Sequence, residues 1–186
     1  AAVTVTATND APIVTDITPQ VVSTLAEDPV SNAGTPVSSM ISGITSDVEG
    51  DPIGIAITAV DQTNGTWEYS LDSGSTWVVI SAPTDVNATV LDATDLVRFN
   101  PTTSFNGSAN MTWRAWDGTD ALSAGTNADT TISTAYSTAI GTAQYDITAS
   151  SNVAPEILGN IVADGALVFD GVDDAVDING TQFNTG

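Results

Sequence analysis

The chain has 186 residues and carries 23 Asp and Glu against 2 Lys and Arg, which gives a formal net charge of −21. This charge excludes binding to the phosphate backbone of nucleic acids and argues against docking on an anionic membrane. The chain contains no cysteine and no histidine, which excludes disulfides, thiolate nucleophiles and the usual zinc ligands and leaves oxygen ligands, suited to a hard cation such as Ca²⁺.

Hydrophobic residues make up 41% of the chain and four are tryptophans, a composition typical of a folded domain with one core. Residues 1–12 lack the pattern of a signal peptide, and no apolar run reaches the length of a membrane span. We expect the sequence to be a segment of a longer protein, without direct membrane insertion.

Short stretches of alternating apolar and polar residues recur between clusters of Gly, Pro, Asn and Asp. In chain order they read "AVTVTAT", "GIAITAV", "GTWEYSL", "TWVVI", "LVRFN", "NMTWRAW" and "AQYDITA". This period of two, without any sustained helical period, predicts an all-β fold, an antiparallel β-sandwich with no substantial helix.

Two of these stretches make sharper predictions. "SLDSGSTW" predicts a hairpin with Asp72 to Gly74 in its turn. The alternation in "NMTWRAWD" puts Trp113 and Trp116 on opposite faces of one strand, so both can be buried only if both faces are covered. For all four tryptophans we favour core packing over a platform for sugar rings.

An internal repeat indicates the domain organisation. "VTVTATNDAPIV" near the start returns as "YDITASSNVAPEI", with Pro12 and Pro155 143 residues apart. This spacing predicts a module of a tandem array, with residues 1–8 as the last strand of a preceding repeat and residues 9–155 as the repeat itself. Residues 156–186 form an acidic tail, which is either the start of a following β domain or a set of returning strands.

The loop "SDVEGDP" crowds the carboxylates of Asp47, Glu49 and Asp51 into five positions. Alternate residues in such a loop can present oxygens to one ion, and Gly50 allows the chain to reverse. The alternative is a solvated acidic turn between strands.

Together these motifs resemble a bacterial cadherin-like or immunoglobulin-like repeat of the large surface adhesins of the repeats-in-toxin (RTX) type. The resemblance covers about residues 9–155 and rests on "TATNDAP", "LAEDPVSNAGT", "SDVEGDPIGIAIT", "GTWEYSLDSGSTW", "VRFNPTTSFNGSANMTWRAWDGTD" and "ASSNVAP". It implies a Greek-key sandwich. The tail "ALVFDGVDDAVDI" resembles, over a short stretch, the first strands of a laminin-G-like or concanavalin-like domain.

The resemblance also implies Ca²⁺ sites at the junctions between modules. The positions that match the family's ligand motifs are the early glutamate Glu27, the acidic loop residues Asp47 and Glu49, the late aspartate Asp117, and the linker residues Asn9 and Asp10. Asp51 is added from its place in the acidic loop alone. Each motif also has a simpler interpretation as a turn or a cap.

The second junction departs from this pattern, because it keeps Asn152 but has Val153 where the first junction has Asp10. The resemblance therefore implies a weaker cation site at that end.

Paired carboxylates are the one feature that suits an enzyme, but histidine, lysine, a nucleophile elbow and a phosphate loop are all missing from the sequence. We therefore expect a non-enzymatic, secreted or cell-surface module, stabilised by Ca²⁺, whose partners are neighbouring repeats of the same chain. A sugar or peptide ligand would bind through an adjacent domain. The alternatives are part of a Ca²⁺-dependent carbohydrate- or peptide-binding module, or a self-associating fibre subunit.

Overall fold

The computed structural model describes residues 8–150 of the chain. This part consists of short strands and one four-residue helix. In chain order the elements are β1 (Ile13–Val14), β2 (Gln20–Ala26), β3 (Thr35–Pro36), α1 (Val37–Met40), β4 (Thr45–Ser46), β5 (Gly54–Val60), β6 (Gly65–Ser70), β7 (Val78–Val79), β8 (Ala88–Leu91), β9 (Leu96–Pro101), β10 (Gly107–Trp116), β11 (Asn127–Ala128) and β12 (Gly141–Thr148). No helix in this range could span a bilayer.

Ten of the strands form two sheets. The larger has the order β11-β8-β5-β10-β12-β2, the smaller has the order β3-β9-β6-β7, and β1 pairs separately with β4. All pairings are antiparallel except that of β12 with β2. The predicted all-β sandwich is confirmed.

Aromatic side chains fill the space between the sheets. The ring centroid of Trp67, on β6, lies 5.2 Å from that of Phe99 on β9 and 5.2 Å from that of Tyr145 on β12 in the facing sheet. All three side chains are fully buried, and the Tyr145 hydroxyl donates to the carbonyl oxygen of Val97 at 2.8 Å. Edge-to-face packing of buried rings stabilises the contact beyond its area.

Both faces of β10 are covered, so both of its tryptophans are buried. Trp113 belongs to the core between the sheets, whereas Trp116 packs with Ala135 and Tyr136 on the outer face of the larger sheet. The segment between β10 and β12 returns over that face and forms a bridge from Tyr136 to Trp116. The sequence pattern required both faces of this strand to be covered if both tryptophans are buried, and both faces are covered.

The predicted hairpin is confirmed, since β6 pairs with β7 across the turn at Asp72 to Gly74. Ser73 and Gly74 adopt φ values of 58° and 88°, a left-handed conformation that glycine accepts without strain. The fourth tryptophan, Trp77, is only partly buried, and the guanidinium carbon of Arg98 lies 3.9 Å from the centroid of its ring. Three tryptophans are thus core residues, and the fourth packs against a charge at the surface.

These two environments predict different costs for the same truncation. Trp67→Ala should lower the free energy of unfolding by about 3–5 kcal/mol, because it empties a buried site that cannot fully collapse. Trp77→Ala should cost about 1–2 kcal/mol, since it removes a partly exposed ring and one cation–π contact. Urea unfolding followed by circular dichroism measures both, and equal costs would contradict the assigned core.

Candidate metal centre

The short pair β1–β4 brings two of the predicted acidic segments together. Ile13 lies opposite Ser46 and Val14 opposite Thr45 in antiparallel register. Residues 9–12, which precede β1, and residues 47–52, which follow β4, therefore leave the pair at the same end. We call this the junction end of the sandwich, made of residues 9–12, 47–53 and 117–120.

Asp117 reaches the junction end because it follows β10, whose last residue Trp116 lies opposite Gly54 at the start of β5. Its carboxylate is almost fully buried. Oδ2 accepts a hydrogen bond from the side-chain amide of Asn9 at 3.0 Å, while Oδ1 accepts from the backbone N–H and hydroxyl of Thr119. Of the predicted ligands, Asn9 and Asp117 are thus in direct contact.

The Asn9 amide makes a further contact that the sequence analysis did not anticipate. Its Nδ2 also donates to the carbonyl oxygen of Thr134 at 3.2 Å. Asn9 is therefore held to the body of the sandwich by one amide group that bridges two oxygens. A backbone carbonyl carries no side-chain signal, which is why no sequence pattern identifies Thr134.

Asp47 has one satisfied and one unsatisfied oxygen. Oδ1 accepts from the backbone N–H of Asp51 at 3.1 Å, closing a loop in which Gly50 has a φ of 79°. Oδ2 is buried and has no hydrogen-bond donor among the described residues. Leaving a buried charged oxygen without a partner costs free energy, about 1–3 kcal/mol or more.

Three of the four remaining predicted ligands lie in these same segments. Asp10 and Glu49 are exposed, Asp51 is half-buried, and none of the three carboxylates accepts a hydrogen bond within the described part of the chain. Across residues 8–150 no three acidic side chains converge closely enough to hold a metal ion as they stand. The loop and the junction are adjacent, but they do not form a closed cage.

Glu27 lies at the opposite end of the sandwich. It follows β2, its Oε1 accepts from the backbone N–H of Ser150, and β12 runs antiparallel to β10, with Gly107 opposite Ile147. The ten residues of β10 span about 30 Å, so Glu27 and Asp117 cannot share an ion. Ser150 is the last described residue, and the second junction at residues 152–155 lies outside the described range, as do residues 1–7 and the acidic tail.

Asp120 is a junction-end carboxylate that the sequence analysis missed. Its Oδ1 accepts from the indole N–H of Trp116 at 3.0 Å and its Oδ2 from the hydroxyl of Tyr136. Burial, together with this hydrogen bond and charge, raises the pKa of Tyr136 well above its usual value. The second aspartate of "WDGTD" is the sequence feature that could have identified this residue. Only the fold shows that its carboxylate accepts hydrogen bonds from two buried side chains.

Both positive side chains of the protein are engaged away from the junction end. Arg98 pairs with Glu68 at 2.7 Å, and Arg114 pairs with Asp85 at 2.9 Å and donates to the carbonyls of Ser137 and Thr138. The chain has no other lysine or arginine. The carboxylates of the acidic loop therefore have no cationic side chain to neutralise them.

Several aspartates elsewhere are stabilised locally by threonine. Asp16 and Asp129 each accept from the hydroxyl and the backbone N–H of the threonine two residues later. Asp61 accepts from the backbone N–H of Thr63, and Asp72 accepts from the N–H and hydroxyl of Thr76. These hydrogen bonds lower the pKa of all four carboxyls. Since a lowered pKa reports preferential stabilisation of the ionised form, these turns hold negative charge without any cation.

A shallow cavity of about 210 Å³ adjoins the junction end. It is lined mainly by apolar groups, with Trp116 and the segments 52–54 and 92–94 around it. Because Trp116 is only 2% exposed, its ring offers no open face for stacking. Asp92 is the one acidic residue in its lining.

The lowered pKa of Asp72 predicts a pH dependence of stability. A carboxyl with a lowered folded pKa stabilises the fold above its unfolded pKa of about 3.9, and that contribution is lost as the pH falls through the folded pKa. In chelator, Asp72→Asn should melt below the wild type at pH 7, and the difference should close as the pH falls below about 4. Thermal unfolding by circular dichroism measures this.

Glu49→Gln is the matched control for Asp72→Asn, because it also removes one negative charge but at a carboxylate that accepts no hydrogen bond. Glu49→Gln should not melt below the wild type at pH 7, so it should show no deficit that closes on acidification. A difference for Asp72→Asn that widens at low pH would contradict the assignment.

Comparison of the chain with protein-family models, with curated proteins and with solved structures finds no match in any of the three. Any functional conclusion therefore depends on the residues and the geometry of the chain itself.

Proposed function

We propose that this chain is a structural module of a tandem array, stabilised by Ca²⁺ at its junction end, that extends a larger bacterial surface adhesin and carries a ligand-binding region away from the cell. The observation that carries the proposal is the buried, unpartnered Oδ2 of Asp47. It lies in a loop beside a junction whose Asn9 is hydrogen-bonded to the body of the module.

The residues present at the junction end fit a hard cation. Asp47, Glu49, Asp51 and Asp10 offer carboxylate oxygens without competing hydrogen bonds, apart from the one that Asp51 N–H donates to Asp47. Ca²⁺ takes six to eight oxygens, from side chains, carbonyls and water, in flexible geometry. When bound, it would neutralise the crowded carboxylates and give Asp47 Oδ2 the partner it lacks.

Asn9 and Asp117 have a different part in this proposal. Their hydrogen bond, together with that from Asn9 to the Thr134 carbonyl, holds the linker against the sandwich. Because residues 10–12 connect this clamp to β1, an ion on the neighbouring loop would stiffen the same few residues. The linker would then fix the orientation of one module relative to the next.

The path of the chain supports a role in extension. It reaches the sandwich at Asn9, beside the end of β10, and leaves β12 at Thr148, beside the start of β10. The two points are separated by the length of β10, about 30 Å. A string of such modules would grow along the strand direction, with Glu27 of one module facing the following junction.

The remaining parts of the proposal follow from composition and charge. A chain with no histidine, cysteine or lysine has few groups for catalysis, which supports a non-enzymatic role. Its strong negative charge supports an extracellular position, where Ca²⁺ is plentiful, with neighbouring repeats as partners and without nucleic acid. A sugar or peptide ligand would be bound by an adjacent domain.

Calcium should raise the melting temperature of the protein. At a Ca²⁺ concentration about 100 times the dissociation constant, binding to the folded state adds about 2.7 kcal/mol, or about 5–10 °C for a domain of this size. Calorimetric unfolding in Ca²⁺, in Mg²⁺ and in chelator tests this. A melting temperature that is the same in all three would refute the Ca²⁺ site.

Asp47→Asn should have opposite effects in the two states. Without metal it should stabilise the protein, because it removes the negative charge from a side chain whose Oδ2 is buried without a donor, whereas its Ca²⁺ affinity in calorimetric titration should fall about tenfold or more. Asp28→Asn is the matched control, since that carboxylate accepts from Ser104 at the opposite end. Equal losses of affinity in both variants would contradict a site in the acidic loop.

A further inference from the structure

The two sheets differ in how their edges are protected. Three of the four edge strands, β3, β7 and β11, are two residues long, and β3 contains a proline. The fourth, β2, has seven residues, with the sequence "QVVSTLA", and contains no charge, proline or glycine. Short strands, charges and prolines are the means by which proteins prevent an edge from pairing with another chain. Among residues 8–150, only β2 is a long edge without them.

The backbone of β2 has hydrogen-bonding groups on its free side. Glu27 N–H, just after the strand, donates to the carbonyl of Thr148 on β12. Alternate residues of a strand direct their backbone groups to the same side, so Leu25 also faces β12 while Thr24 and Ala26 face away from it. Within the described range no group bonds to the backbone of Thr24 or Ala26 from that side, and both residues are exposed.

Acidic residues surround this edge although none lies in it. Asp16 precedes β2, Asp28 follows Glu27 after its end, and Asp146 on β12 is the register partner of Thr24. Both arginines of the protein are engaged in ion pairs elsewhere. The edge is therefore an uncharged strand in a negative field, which attracts cationic chains and repels a second copy of a protein with a charge of −21.

We propose that β2 is a docking edge for an extended segment of another protein, in which a short uncharged run rich in β-branched residues is flanked by lysine or arginine. The segment adds a strand beside β2, where its backbone bonds to the outward groups of Thr24 and Ala26. Its flanking cations lie near Asp16 at one end and Glu27 and Asp28 at the other. Such binding requires no Ca²⁺ and uses none of the residues that define the junction end.

A synthetic peptide tests the proposal with the full 186-residue chain in chelator. The probe has seven alternating threonines and valines between two pairs of lysines, and fluorescence anisotropy measures its affinity at physiological salt. Saturable one-to-one binding is expected. The same peptide with a central proline keeps its charge but cannot pair as a strand, and it should bind about tenfold more weakly or worse. Equal affinities would reduce the interaction to general attraction by a polyanion and overturn the proposal.

Backbone methylation gives a second test that leaves the protein unchanged. One form of the peptide is N-methylated on alternate residues, which leaves one edge of the strand free to bond, and another is N-methylated on all seven, which leaves neither edge. Only the fully methylated form should lose binding, by about tenfold or more. Equal affinities of the two forms would overturn the proposal.

Thr24→Pro removes an outward N–H without removing a bond to β12, and it should abolish binding of the unmodified peptide while the circular dichroism spectrum is retained. Light scattering of the protein alone tests whether a second copy of the chain binds this edge. Association of copies at rising concentration that Thr24→Pro prevents would assign the edge to a second copy and overturn the proposal.

Discussion

Negative charge without positive counterparts constrains every part of this structure. The two arginines make other contacts besides their ion pairs. Arg98 packs against the ring of Trp77, and Arg114 donates to two backbone carbonyls of the segment before β12. Most other carboxylates meet neutral donors: threonine turns hold several, and an indole and a phenol hold Asp120. These donors are fixed in place by the fold and do not depend on ionic strength as an exposed ion pair does. The acidic loop has few such donors, and Asp47 Oδ2 is buried without one among the described residues.

The sandwich tolerates this charge because its core is independent of it. Trp67, Phe99 and Tyr145 join the sheets through ring contacts, and the outer face of the larger sheet has its own apolar cover around Trp116. Burial of aromatic surface of this kind provides most of the free energy that opposes self-repulsion among the carboxylates. Among residues 8–150 most carboxylates lie in turns and loops, with Glu68 on β6 and Asp146 on β12 as the exceptions within strands.

The sequence pattern predicts some strands well and others poorly, for physical reasons. β5 coincides with the predicted "GIAITAV", and β6, β9, β10 and β12 lie within one to three residues of the predicted stretches. By contrast β2 and β8 were not predicted. β8 is buried on both sides and therefore does not alternate, while β2 carries Val21 and Val22 in succession next to a bulge in its pairing with β12.

The candidate site was likewise predictable from the sequence only in part. Adjacency of the acidic loop to the first junction depends on β1 and β4, a pair only two residues long that no periodicity can detect. The position of Glu27 depends on the direction of β2, which is parallel to β12 and so carries its end away from Asp117. Local sequence identified residue types suited to a cation, whereas only the tertiary arrangement decides which of them can act together.

The parallel pairing of β2 with β12 has a mechanical consequence. β2 begins near the junction end and β12 ends at the opposite end, so a force that pulls Asn9 and Thr148 apart slides the two strands along each other. Their six registered residue pairs are then loaded together in shear, instead of opening one after another as in a hairpin peeled from its end. The edge strand of the larger sheet is therefore also the strand that would resist stretching.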